Sequence, residues 1–369
     1  MKLHILQENL VLGLSHVAKA IPSNPQLPIL SAVLLEVTDT ACTLSATDLY
    51  FGVKVQLQAS VKEAGTVAIP GKQFKELISS LPPGKLELVF ENGTLHIVSE
   101  RSKTRLQCPA SEEYPQFPLV TGIKVKFATS EFETIDQLVS FSASTDQARP
   151  VLTAVLLDAG ETGFKAVATD GFRLSVYELV KTSTTLPAKL LIQAKALQEV
   201  TRIAKSVGAV EVSFIVSEEL KQVYFSLSEV EVYVRLLDGE FPPYQKIVPS
   251  VFTTEVWLDG AELEDQIKRA NIFARDASNI IKLEVAADKV TLSATSPTLG
   301  TFSGDIQSAV VTGNPLEIAF NTKYVLDILK ATGKGKTWLG MSDSLKPVLC
   351  KAEDAPQAYY VIMPFKVTK

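Results

Sequence analysis

The chain has 369 residues, 46% hydrophobic and 21% charged, and 36 Lys and Arg against 41 Asp and Glu leave a formal net charge of −5. That balance excludes intrinsic disorder, and the length suits two or three domains of roughly 100–200 residues, each able to bury its own core. The start, Met1-Lys2-Leu3-His4-Ile5-Leu6, lacks the apolar run of a signal peptide, and no stretch approaches the ~18 uncharged apolar residues of a membrane span, so a cytoplasmic protein is expected.

Apolar residues recur at helical spacing in six places. Leu10, Leu14, Val17 and Ile21 predict a first helix, and Phe74, Leu77, Ile78 and Leu81 a second. A third follows at Phe132, Ile135, Leu138 and Val139, and a fourth at Leu197, Val200, Ile203, Ala204 and Val207. Leu263, Ile267, Ala270 and Ala274 give the fifth, and Tyr324, Val325, Ile328 and Leu329 the sixth. Between them, segments rich in Val, Ile, Leu and Phe predict strands at Ala32–Val37, Leu86–Phe90, Val151–Leu157, Val210–Val216 and Ile280–Val285, with Asn92-Gly93 and Asp238-Gly239 as turn signals.

The elements repeat. Leu44-Ser45-Ala46-Thr47-Asp48, Ala166-Val167-Ala168-Thr169-Asp170-Gly171 and Leu292-Ser293-Ala294-Thr295-Ser296 are three copies of a strand running into Ala-Thr and a turn. Thr47 and Thr169 are 122 residues apart and Thr169 and Thr295 are 126 apart, a whole-domain period far above that of a solenoid. Each third is expected to hold a helix, a strand pair ending in the Thr motif, a second helix and further strands. Tyr114-Pro115-Gln116-Phe117-Pro118 and Phe241-Pro242-Pro243-Tyr244 interrupt any ladder, because proline cannot donate to one, and the domains are placed at 1–122, 123–250 and 251–369.

Charge is unevenly spread. The window Gln193–Ser206 carries +2, Asn321–Lys336 +3 and Gly71–Leu81 +1, whereas Glu8–Ala20 and Gly260–Arg275 are neutral and Glu131–Ser142 carries −3. The six helix windows thus sum to +3 on a chain of −5. A basic set of helices on an acidic protein fits a local phosphate-facing surface, though charge alone favours ordinary solvated helix faces.

Catalytic patterns are missing. His4, His16 and His96 all lie in the first third, with no His-Glu-x-x-His or Cys-x-x-Cys pattern, and Cys42, Cys108 and Cys350 are too scattered for a disulfide framework or a zinc site. Gly335-Lys336-Thr337 ends like a phosphate-binding loop, but the glycine required earlier falls on Lys330. Asp48 and Asp170 could act as carboxylates or could cap their own turns, and the third copy has Ser296 there. No metal or other cofactor is expected.

Leu27-Pro28-Ile29-Leu30, Ala168-Thr169-Asp170-Gly171-Phe172-Arg173-Leu174, Asp238-Gly239-Glu240-Phe241-Pro242-Pro243-Tyr244 and Tyr360-Val361-Ile362-Met363-Pro364 together resemble the bacterial DNA polymerase III beta subunit family, the replication sliding clamps. The resemblance spans the whole chain in the family's order. It implies an α+β protein of three similar domains in the DNA clamp fold, each with two helices packed on antiparallel sheets. Two chains would join head to tail into a six-domain ring, with helices lining the hole and sheets outside. The implied function is non-catalytic: duplex DNA threads the ring, while the replicative polymerase, the clamp loader and other motif-bearing proteins dock on it.

Geometry supports two chains. Twelve helices about 10 Å apart make a circle about 38 Å across between axes, roughly 27 Å clear, while six would leave only about 8 Å, too little for a duplex. The lining candidates, chosen by helical position, are Lys19, Lys72, Lys75, Lys195, Arg202, Lys205, Lys268, Arg275, Lys323 and Lys330, with Lys323, Lys330 and Lys334 on one face. Their contacts to phosphates would be sequence-nonspecific, which permits sliding.

The resemblance also implies an apolar cleft for short linear peptides. By motif it comprises Leu152, Thr169, Gly171, Arg173, Leu174, Pro242, Lys246, Ile247, Val361, Met363, Pro364 and Phe365. Leucines, proline and a soft methionine suit varied apolar anchors, and Arg173 is expected to orient the peptide. Phe172, Lys246 and Phe365 are where peptide preference is expected to shift. Two other readings stand beside this one: a monomeric three-domain scaffold, and an enzyme using Asp48 or Asp170.

Overall fold

The computed structural model describes residues 1–118, 120–122, 124–160, 163–179, 189–276 and 278–366. The threefold repeat expected from the sequence resolves into a finer one. Six times along the chain a strand leads directly into a helix and then into three antiparallel strands.

The first such module is β1 (Lys2–Leu6), α1 (Gln7–Val17), β2 (Ala32–Val37), β3 (Cys42–Thr47) and β4 (Phe51–Leu57), followed by the extra strand β5 (Ala59–Glu63). The second is β6 (Gly65–Pro70), α2 (Gly71–Ser80), β7 (Lys85–Glu91), β8 (Thr94–Val98) and β9 (Lys103–Gln107). The third is β10 (Lys124–Ala128), α3 (Thr129–Leu138), β11 (Ala154–Gly160), β12 (Gly163–Thr169) and β13 (Arg173–Leu179). The fourth is β14 (Leu190–Gln193), α4 (Ala194–Ser206), β15 (Glu211–Ser217), β16 (Gln222–Leu227) and β17 (Val230–Arg235). The fifth is β18 (Thr254–Asp259), α5 (Gly260–Ala274), β19 (Ile280–Val285), β20 (Val290–Ser296) and β21 (Gly300–Ile306), then the extra β22 (Val310–Gly313). The sixth is β23 (Leu316–Asn321), α6 (Thr322–Thr332), β24 (Lys336–Met341), β25 (Val348–Ala352) and β26 (Ala358–Ile362).

Modules interlock in pairs by exchanging their first strands. β1 pairs with β7 and β6 with β2; β10 pairs with β15 and β14 with β11; β18 pairs with β24 and β23 with β19. Each third of the chain is therefore two modules sharing strands, and neither can complete its sheet alone.

The chain divides into two compact units, residues 1–132 with 198–236 and residues 133–197 with 237–369. The first holds a five-stranded sheet, β5-β1-β7-β8-β9, and an eight-stranded sheet, β10-β15-β16-β17-β4-β3-β2-β6. Its apolar helix faces are buried through Leu10, Leu14 and Val17 of α1, Phe74 and Ile78 of α2, and Val200 and Ile203 of α4. Phe132 packs edge-on against Phe127, Phe214 and Phe225. The second unit holds a nine-stranded sheet, β14-β11-β12-β13-β26-β25-β24-β18-β22, and a four-stranded sheet, β21-β20-β19-β23. Leu263, Ile267 and Ala270 of α5 and Val325, Ile328 and Leu329 of α6 are buried there.

All six helices form, but several predicted details change. The opening strands β1, β10 and β18 are additions to the expected elements. Val151 lies not in a strand but in a 3-10 turn, Pro150–Thr153, because Pro150 fixes φ and starts a turn before β11. Asn92-Gly93 is the hairpin turn between β7 and β8, with both φ positive at 51° and 73°. Asp238-Gly239 instead sits in the segment after β17 and closes no hairpin. Helix α6 stops at Gly333, whose φ of 90° no side-chain-bearing residue readily adopts, so Lys334 is not on the helical face with Lys323 and Lys330. The predicted domain boundary at residue 123, and residues 367–369 of the predicted third domain, lie outside the described residues. Among the described residues no helix is long and apolar enough to cross a membrane.

Candidate peptide cleft and basic helix faces

Strand β12 ends at Thr169 and β13 begins at Arg173, and the turn between them is held by its own side chains. Thr169 Oγ1 donates to the Arg173 carbonyl at 2.6 Å and accepts the Gly171 N–H at 3.1 Å. Asp170 Oδ1 accepts the N–H groups of Phe172 and Arg173, each at 2.9 Å. Gly171 has φ of 93°, a conformation in which glycine avoids a Cβ clash. The Thr47 copy is built alike: Thr47 Oγ1 accepts the Leu49 N–H at 3.0 Å and Asp48 Oδ1 accepts the Tyr50 N–H at 2.9 Å. Both aspartates therefore serve as turn caps, which is the chemistry their Thr-Asp context favours.

Pairing of β13 with β26 brings the C-terminal segment to this turn, with Leu174 opposite Val361. Beyond the ladder, Met363 N–H donates to the Phe172 carbonyl and Phe365 N–H to the Ala319 carbonyl, both at 2.8 Å. Leu174 and Val361 belong to one buried apolar cluster with Ala154, Leu156 and Leu349. The connecting segment packs on that cluster through Leu237, Phe241, Tyr244 and Val248. Of the expected cleft residues, Thr169, Arg173, Leu174 and Val361 are buried; Leu152, Met363, Pro364 and Phe365 are half-buried; Gly171, Pro242, Lys246 and Ile247 are exposed. The arrangement is an apolar floor under an exposed rim. Phe172 adds an exposed aromatic ring to that rim.

Sequence reasoning misses Tyr244, which is 4% exposed and central to the cluster. Its signal is the Phe-Pro-Pro-Tyr phrase, whose prolines mark a domain boundary and draw attention away from the ring beside them. Burial pushes the Tyr244 phenol up, so it stays neutral.

Arg173, expected to orient the peptide, is held within the fold by its own partners. Its side chain is 6% exposed and each guanidinium nitrogen already makes one hydrogen bond within the fold. Nε donates to Asp170 Oδ2 at 3.1 Å, Nη1 to Asp327 Oδ2 at 2.6 Å and Nη2 to the Phe141 carbonyl at 2.6 Å. The guanidinium also lies 5.3 Å from the Phe141 ring centroid and 5.0 Å from that of Tyr324. Such a group fixes the turn.

The basic candidates are all exposed. Lys72 and Lys75 lie on α2; Lys195, Arg202 and Lys205 on α4; Lys268 on α5; and Lys323 and Lys330 on α6. Lys19 stands in the 3-10 turn after α1, and Arg275 caps the C-terminus of α5, so neither is on the regular helix from which it was chosen. Acids on the same helix temper some of the candidates: Arg202 pairs with Glu199, and Lys268 with Glu264 at 2.7 Å. Lys323 and Lys330, seven residues apart on α6, make no ion pair among the described residues. No group of three or more His, Cys, Asp or Glu among the described residues could hold a metal ion.

Three family models cover nearly the whole chain: DNA polymerase III beta subunit, N-terminal domain over residues 1–118, central domain over 126–243 and C-terminal domain over 245–366. The beta sliding clamp of Chlamydia muridarum is 28% identical, covering 100% of this chain and 99% of its own. That of Staphylococcus aureus is also 28% identical, over 99% of both chains. The structure of the DNA polymerase III beta subunit from Thermotoga maritima superposes with a TM-score of 0.90 at 27% identity, over 100% of each chain.

Proposed function

Because this chain belongs to the DNA polymerase III beta subunit family, the non-catalytic sliding clamps of DNA replication, we propose that two copies join head to tail into a closed ring around duplex DNA. The observation that carries this is a junction used twice within the chain. β4, the last strand of the first module, pairs with β17, the last strand of the fourth, and β13 pairs with β26 in the same antiparallel way. The corresponding strands of the remaining modules, β21 and β9, end their sheets with one edge unpaired among the described residues.

A second copy offers β9 to β21, and the reverse contact closes the ring, which removes both open edges. The inward-facing residues suit such a junction. Leu106 of β9 and Phe302 of β21 are only half-buried in the single chain, and Ile272 of α5 is 52% exposed. The thirds 1–122, 123–250 and 251–369 are the domains repeated around this ring.

Within the ring, the ten basic residues meet phosphates without reading bases, and the cleft around the Thr169–Leu174 turn and residues 361–365 takes apolar peptides from the replicative polymerase, the clamp loader and other partners. The working compartment is the cytoplasm. The test is topological: loaded on nicked circular DNA, the protein stays bound through gel filtration and is released once the circle is linearised. Equal retention on linear and circular DNA overturns encirclement.

A further inference from the structure

The first copy of the Thr motif, Thr47–Gly52, takes no part in the cleft just described, yet a cavity of about 90 Å³ opens beside it. The backbone register around it repeats that of the cleft at several positions. Strand register makes Thr47 correspond to Thr169 and Gly52 to Leu174, since Thr47 pairs with Gly52 as Thr169 pairs with Leu174. It makes Tyr233 correspond to Val361, since Tyr233 faces Gly52 as Val361 faces Leu174. Arg235 N–H donates to the Tyr50 carbonyl at 2.8 Å, as Met363 N–H donates to that of Phe172. Leu49, in the place of Gly171, keeps the same left-handed turn with φ of 76°, a conformation that disfavours a side chain. The turn geometry is thus retained although leucine strains it, and the leucine is 38% exposed.

The chemistry of the walls differs from that of the first cleft. Phe117 packs on Tyr233 at 4.6 Å between ring centroids, forming an aromatic side. Arg235 is the one charged residue among the described residues lining the cavity, and its guanidinium lies 5.6 Å from the Tyr50 ring centroid. Gln222, also in the wall, holds its buried Oε1 without a hydrogen-bond partner. That oxygen is an acceptor for an N–H group, and the volume suits one small apolar side chain.

We propose that this cavity is a second peptide-docking site, which takes an extended segment with one small apolar anchor beside a carboxylate. The anchor enters between Phe117 and Tyr233, the carboxylate meets Arg235, and a peptide N–H satisfies Gln222. Nothing in this assignment requires the first cleft to bind peptides.

The probe is a fluorescein-labelled, amide-capped pentapeptide alternating glutamate with leucine, titrated against the full chain by anisotropy and calorimetry. The wild type is expected to bind the probe at this cavity, which is a second class of site where the first cleft also takes it. Arg235→Glu, at an exposed position, weakens one class by about tenfold or more, and Tyr50→Ala weakens the same class. Met363→Arg leaves that class intact and affects only the other cleft. Loss of all peptide binding in Met363→Arg, or unchanged binding in both Arg235→Glu and Tyr50→Ala, overturns the proposal. So does a loss of duplex DNA affinity in Arg235→Glu with peptide binding unaltered, which assigns Arg235 to phosphate instead.

Discussion

Arg173 Nη1 donates to Asp327 Oδ2 at 2.6 Å, joining the β12–β13 turn to helix α6 across 154 residues of sequence. With Asp170 and the Phe141 carbonyl also engaged, the guanidinium is a buried charge whose partners all belong to the fold. Arg173→Ala leaves Asp170 and Asp327 without their cation, and such a deletion from a buried network costs about 3–5 kcal/mol. Urea denaturation is expected to show that drop, with Asp327→Asn falling less because Asp327 is more exposed than Arg173. Peptide affinity at the cleft falls with it, through the loosened turn. Arg173→Ala with an unchanged urea midpoint refutes this account.

Main-chain hydrogen bonds tie the C-terminal segment to the same turn, through Met363 to Phe172, and to β23, through Phe365 to Ala319. Removing residues 363–369 deletes both hydrogen bonds and the half-buried Met363 and Pro364, while leaving β26 and both free sheet edges in place. The truncated protein is expected to lose binding of a clamp-binding peptide and to sediment as the full chain does. Retained peptide affinity removes residues 363–365 from the cleft.

Local periodicity is enough to find the helices, because their apolar faces repeat over three turns: Leu10, Leu14 and Val17 are each at most 1% exposed. The Thr motif is likewise visible, since a turn that caps itself carries its determinants in five residues. What escapes is non-local. The strand exchange between modules depends on β1 finding β7, about 80 residues on, and five alternating residues such as Lys2–Leu6 give too short a signal to recognise. Asp327 as a partner of Arg173 is not legible at all, because only the fold brings α6 to the turn. Lys334 is misplaced by carrying the helical spacing past the glycine that ends α6.

Lys323 and Lys330 are the basic candidates best placed to act on DNA, being exposed, on one helical face and without an acidic partner among the described residues. Lys323→Glu with Lys330→Glu is expected to weaken retention on circular DNA and to reduce the dependence of log affinity on log salt by about 1 for each phosphate no longer neutralised. Lys268→Glu has a smaller effect, because Glu264 already takes part of that charge. An unaltered salt slope in the double variant moves the DNA-facing surface elsewhere.

Phe302 stacks on Phe273 with centroids 6.3 Å apart and stands at the open edge of β21. Phe302→Lys puts a charge where the copy-to-copy junction is proposed to be apolar, and so does Leu106→Asp on β9. Either is expected to weaken the dimer by about 100-fold, the scale of an interface anchor, while the chain stays folded. Sedimentation equilibrium over a concentration series checks this. Dimers of unchanged strength in both variants rule out the β9–β21 junction.

His16 is 5% exposed, and its Nε2 has no hydrogen-bond partner. Burial holds its pKa below the ordinary value of 6.5. Glu229 is the charged residue that lines the same cavity. The unfolded chain therefore binds a proton near pH 6.5 that the folded chain refuses until lower pH. Stability from this group is full above 6.5 and declines as pH falls through the interval down to the folded pKa. Wild-type urea midpoints are expected to fall between pH 7.5 and 5.5, and His16→Gln should flatten that fall even where its stability at pH 7.5 is lower. An equally steep decline in the variant assigns the acid sensitivity to other groups.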